Sequence, residues 1–100
     1  MKKKSCDYES WLNISKMILF DKVDKGKIGC PCCEQRGIDF QCFGRESTMM
    51  GFMLIWCSEC KKGINISRLK VPDGVSMLSM DISDEEYEKR IPKFQLVEST

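Results

Sequence analysis

The chain has no histidine, only three prolines and no strong excess of charge of either sign. Without histidine it lacks the commonest general acid–base side chain near neutral pH. It also lacks a Gly-rich phosphate loop, a His-x-Glu element and a Gly-x-Ser-x-Gly element, so no enzymatic motif stands out. Sixteen Lys and Arg against fifteen Asp and Glu leave a net charge of +1. That is not the strongly basic balance of a domain that lives on phosphate backbones. Long apolar runs are missing too. The longest charge-free one, Met49 to Ser58, is half of the roughly 20 residues that a membrane-spanning helix needs. Met1-Lys2-Lys3-Lys4 has the charge of a secretory n-region, but Asp7, Glu9 and Asn13 interrupt the apolar core that should follow. The same interruption removes a lipoprotein reading of Ser5-Cys6. The pattern therefore predicts a cytoplasmic protein, where disulfides are disfavoured and clustered cysteines more often bind metal.

What the chain does have is seven cysteines in 100 residues. A single domain of this size removes only about 60 to 65% of its unfolded surface from water, so a staple is expected. Residues 1–100 read as one domain in three parts. Residues 7–22 show apolar positions at helical spacing (Tyr8, Trp11, Leu12, Ser15, Ile18, Leu19), with Asp7 as N-cap. From Gly37 the period changes to two: Ile38, Phe40 and Cys42 alternate with Asp39, Gln41 and Phe43, and 44–48 form a polar loop. The second strand, 50–57, is apolar on both faces, with Phe52, Leu54 and Trp56 on one and Met53 and Ile55 on the other. That predicts a central strand covered twice. The third, 63–71, changes face between Ile66 and Leu69, which places a bulge near Arg68. Beyond Pro72-Asp73-Gly74, Ser83-Asp84-Glu85-Glu86 matches a capping box for a short helix to about Arg90. Phe94 to Val97 is a short apolar segment, either an edge strand or a fold back across the sheet.

The chemistry is concentrated in two Cys-x-x-Cys pairs 23 residues apart, Cys30-Pro31-Cys32-Cys33 and Cys57-Ser58-Glu59-Cys60. Each such turn aims two thiolates into one small volume while its backbone amides can hydrogen-bond the sulfurs. The intervening segment is the hairpin read independently from period-two alternation, and closing it brings the two turns together. An odd count of seven suits four ligands and three further thiols, and is awkward for a disulfide framework. Cys42 alternates with Ile38 and Phe40 and reads as core; Cys6 reads as a free surface thiol.

On these residues the chain resembles the four-cysteine, rubredoxin-like zinc-ribbon superfamily, over about residues 28–71. Ile28-Gly29-Cys30-Pro31-Cys32-Cys33 stands as the first knuckle and Trp56 to Lys61 as the second. The resemblance implies Cys30, Cys33, Cys57 and Cys60 as the ligands of one zinc ion. It also implies an α+β fold: a small three-stranded antiparallel zinc ribbon with an N-terminal helix and a short C-terminal helix packed on it. Two departures stand out. Glu34 occupies a place where glycine is frequent, which a glutamate fits with a negative φ. Cys32 lies inside the first knuckle, where a thiol beside the metal can exchange with Cys33. The spacing prefers Cys33, since Cys30 with Cys32 makes a tighter turn than the second pair.

Four protein thiolates leave no open coordination position, so water activation at this metal is not expected and the site reads as structural. The resulting expectation is a non-enzymatic protein-interaction or regulatory module. The acidic stretch Asp81 to Glu88 is its candidate surface for a basic partner. Two other readings stay open. One is nucleic-acid binding through Lys61, Lys62, Arg68 and Lys70. The other is a rubredoxin-like iron electron carrier shielded by Phe40, Phe52 and Trp56.

Overall fold

Alternation, capping and turn chemistry set the elements of the computed structural model, which describes residues 7–97. Cys6 therefore lies outside the described residues. Helix α1 spans Tyr8–Leu19 and starts where the Asp7 side chain accepts a hydrogen bond from the Ser10 amide at 2.9 Å. It stops three residues before the predicted end. Lys22 takes a left-handed φ of 58°, the Asp21 amide makes a six-to-one bond back to the Lys16 carbonyl at 3.4 Å, and the Val23 amide turns back to the Met17 carbonyl at 3.0 Å, closing the end of the helix. A single 3-10 turn, Lys25–Lys27, leads into the first knuckle.

Strands β1 (Ile38–Gly44), β2 (Met50–Cys57) and β3 (Lys62–Lys70) form an antiparallel meander. Its register runs Ile38 opposite Cys57 and Ile55 opposite Ile64. The pairing of β2 with β3 shifts between Gly51 and Met53, opposite Arg68, which has a φ of 55°. This is the bulge that the change of face in the sequence requires.

The expectation of a three-stranded antiparallel ribbon is wrong. The sheet has five strands in the order β4-β1-β2-β3-β5 and is mixed: β4 (Met77–Ser79) runs parallel to β1, and β5 (Gln95–Leu96) runs parallel to β3. The two added strands have three and two residues, too short to show any periodicity. Their parallel direction follows from the connection. Parallel strands need a crossover, usually helical, and helix α2 (Asp84–Arg90) supplies it. Ser83 caps it, accepting from the Glu86 amide at 3.2 Å. The unit β4-α2-β5 thus straddles the meander from one edge to the other.

The two faces carry separate cores. Trp11, Ile14, Ile18 and Leu19 of α1 pack with Cys42, Met53, Ile55 and Ile64 on one face. On the other, Phe43, Leu54 and Trp56 pack with Ile91, with Phe52, Leu78 and Phe94 around them. Ring stacking tightens this second core: Phe43 on Phe52 at 4.9 Å and Trp56 on Phe94 at 5.7 Å between centroids. No helix among the described residues is long and apolar enough to cross a membrane.

Candidate metal centre

Both knuckles hang from the same end of the meander. The first precedes β1, the second follows β2, and the Ile38–Cys57 register pair holds their roots together. Gly37 locks the arrangement: its carbonyl accepts from the Ser58 amide at 2.8 Å and from the Ser58 hydroxyl at 3.2 Å. A side chain at Gly37 would meet Ser58 Oγ at 2.9 Å and Glu59 Cγ at 2.8 Å, so those two side chains of the second knuckle would have to shift to admit it.

The knuckles repeat one geometry. In the first, the Glu34 amide donates to the Cys30 carbonyl at 2.9 Å; in the second, the Lys61 amide donates to the Cys57 carbonyl at 2.9 Å. The Cys32 and Cys33 amides donate to Cys30 Sγ at 3.2 and 3.4 Å, and the Glu59 amide donates to Cys57 Sγ at 3.4 Å. In each knuckle the first cysteine is buried and the second is half-buried. The residue after each second cysteine is left-handed, with φ of 67° at Glu34 and 59° at Lys61. This corrects the expectation of a negative φ at Glu34. The turn itself demands the left-handed conformation, and the chain meets it twice without glycine.

The result is a tetrad. Cys30, Cys33, Cys57 and Cys60 place their sulfurs within 4.8 Å of one another, with Cys30–Cys60 and Cys33–Cys57 each at 3.6 Å. A tetrahedron with about 2.3 Å from metal to sulfur has edges of about 3.8 Å, so the donor set fits a four-coordinate ion with small adjustments. Cys32 is half-buried and stands outside the tetrad, while Cys42 is fully buried in the α1-side core.

Electrostatics point the same way. Burial raises the Cys33 thiol, but the Gln35 backbone and the neighbouring Cys57, Cys30 and Cys60 thiols outweigh it and hold Cys33 below the usual cysteine range. Burial raises Cys57, and burial together with Cys30 and Cys33 pushes Cys60 up to about 12. Left to themselves, Cys33 gives up its proton readily while Cys57 and Cys60 resist losing theirs. A cation at the centre of the cluster removes that resistance, because it offsets the mutual repulsion of the thiolates.

The C-terminal segment buttresses the second knuckle. The Gln95 amide donates to the Lys61 carbonyl at 2.8 Å, and β5 continues the ladder along Lys62 and Gly63. The proposed basic run behaves differently from its spacing. Lys61 and Lys62 sit at the metal end of β3, while Arg68 and Lys70 sit at the far end, so no single patch forms from them. Asp84, Glu85, Glu86 and Glu88 are exposed on α2, as a solvated helix face requires.

Sequence reading missed a polar cluster on the α2 face. Arg90 donates to Gln41 Oε1 at 2.9 Å, to the Phe40 carbonyl at 2.8 Å and to Asp39 Oδ2 at 3.3 Å, while Asp39 also pairs with Lys25. The only local signal was that Asp39 and Gln41 share the face of Phe43, which is otherwise apolar.

Fold and site together define a small five-stranded mixed-sheet domain with a four-cysteine cluster able to hold one metal ion. No protein-family model, curated protein or solved structure matches the chain.

Proposed function

We propose that the tetrad holds one structural Zn2+ ion and that the domain works as a non-enzymatic binding module presenting its surfaces to another protein. The observation that carries this reading is the duplicated knuckle, two matching turns that deliver four sulfurs to within 4.8 Å of one another. The likeness to zinc ribbons that supports this reading is confined to the paired cysteine knuckles, since the sheet that they join has five strands and is mixed. Cys30, Cys33, Cys57 and Cys60 would fill all four positions of a tetrahedral ion, which leaves none for a substrate or an activated water. The ion's contribution is then folding free energy, on the order of 10 kcal/mol at neutral pH, comparable to the stability of a whole domain. Support for an interaction role comes from the surface: Met17 and Phe20 on and beside the end of α1 are exposed, and α2 presents an acidic face to a basic partner.

The test is elemental analysis with an absorption spectrum, repeated after chelation while circular dichroism follows the fold. One colourless zinc per chain with loss of structure on chelation is the expected result. Iron with thiolate charge-transfer bands and a reversible potential would replace this reading with electron transfer.

A further inference from the structure

At the end of the sheet away from the cysteines, on the face that α2 only partly covers, lies an open groove of about 470 Å³. That volume falls within the range of small-molecule clefts. Its lining contains two arginines, Arg45 from the β1–β2 turn and Arg68 from the β3 bulge, and no acidic residue. Among the described residues neither arginine forms an ion pair. The apolar part of the wall is Phe52 with Met50 and Met80, both methionines exposed. Phe43 occupies one face of the Phe52 ring in a stack 13° from parallel, and Phe52 remains only half-buried. Asn65 and Ser67 add hydrogen-bonding groups.

The backbone fixes where one of these arginines stands. Arg68 sits at a φ of 55° in the bulge, a position where glycine is favoured and an L side chain costs about 1 kcal/mol. The bulge imposes this conformation, as turns do at Lys22, Glu34, Met49 and Lys61, and it sets Arg68 in the wall of the groove. Arg68 is exposed and packs in neither core, so its side chain earns no burial in exchange for the strain.

The geometry points to a small organic anion carrying a flat ring, specifically a free nucleoside monophosphate. Arg45 and Arg68 bind the phosphate, the base lies against Phe52 between the methionines, and Asn65 hydrogen-bonds a polar edge. Arginine suits phosphate through its planar fork of donors, and aromatic rings accept any base face. A free ligand is favoured over a strand because the chain's net charge is only +1 and Lys61 and Lys62 lie at the opposite end of β3. This inference does not depend on which metal fills the tetrad.

The experiment is an amide-resonance titration of the metal-loaded full chain with AMP, adenosine and a tetra-adenylate strand, on the native protein and on Arg68→Gly. The glycine variant relieves the left-handed strain, so it keeps the fold while losing the charge. AMP should move the Gly51, Phe52 and Ser67 amides, adenosine should bind at least 10-fold more weakly, and R68G should weaken AMP at least 10-fold. Any of three results overturns the assignment: AMP leaving those amides unmoved, R68G binding AMP as well as the native protein, or adenosine binding as tightly as AMP. A tetra-adenylate strand binding more than 100-fold tighter than AMP would also overturn it, transferring the groove to single-stranded nucleic acid.

Discussion

Arg90, the last residue of α2, donates through Nε to the side-chain oxygen of Gln41 at 2.9 Å, and Gln41 is only 5% exposed. The same guanidinium lies 5.4 Å from the centre of the Trp56 ring and reaches Asp39 and the Phe40 carbonyl, so one side chain fastens α2 to three consecutive residues of β1. Arg90→Ala leaves a buried amide oxygen without its partner and should cost about 2 kcal/mol in urea unfolding of the metal-loaded protein. Arg90→Lys should recover little of this, because an ammonium cannot reach three acceptors arranged for a planar fork.

Metal occupancy separates the cysteines. Cys57→Ser removes one corner of the tetrad and should yield a protein with less than one-tenth of the native zinc content and no cooperative thermal transition. Cys42→Ala, in the core but outside the tetrad, should keep one zinc per chain and cost about 1 kcal/mol. Equal melting curves for the two variants would refute the ligand assignment.

Lys61 holds a φ of 59° immediately after the second ligand pair. Replacing it with glycine removes the steric penalty of the left-handed region, partly offset by the greater freedom of the unfolded chain. Lys61→Gly should stabilise the domain by about 0.5 to 1 kcal/mol in chemical denaturation without changing metal stoichiometry.

Cys42 gives the domain an alkaline limit. Burial pushes its thiol from 9.0 to about 11, so the folded chain resists ionisation that the unfolded chain undergoes freely. For an acid whose folded pKa is raised, the associated stability is complete below pH 9 and is lost as pH climbs towards 11. The loss should approach about 2 to 3 kcal/mol. Denaturation measured across that window should show the decline in the native protein and a flatter profile in Cys42→Ala.

Legibility in the sequence tracked the length of each signal. Eight residues of β2, apolar on both faces, foretold a strand covered twice, and Cys-x-x-Cys spacing foretold which sulfurs meet. Ser83 and Asp7 announced their helices because capping is a local hydrogen bond between near neighbours. Strand β4 was illegible because three residues carry no period; β5 was legible only as one of two readings of residues 94–97, and its parallel pairing is fixed by α2 instead. The Arg90 cluster was hidden for a related reason: its partners lie about 50 positions earlier, and no local pattern links them. Glu34 misled because the glycine preference of its site was read as optional, whereas the knuckle imposes the left-handed turn on whatever residue stands there.

The crossover from β4 through α2 to β5 also dictates an order of assembly. Neither outer strand has a neighbour to pair with until β1 and β3 are in place, because each adds to a different edge of the finished meander. Strands β4 and β5 therefore pair only once the meander is formed, and they also follow it in the chain, so they leave the ribosome after it. Vectorial synthesis and the dependency among strands run in the same direction, so a nascent chain can seat its cysteine knuckles before the C-terminal segment arrives to brace them.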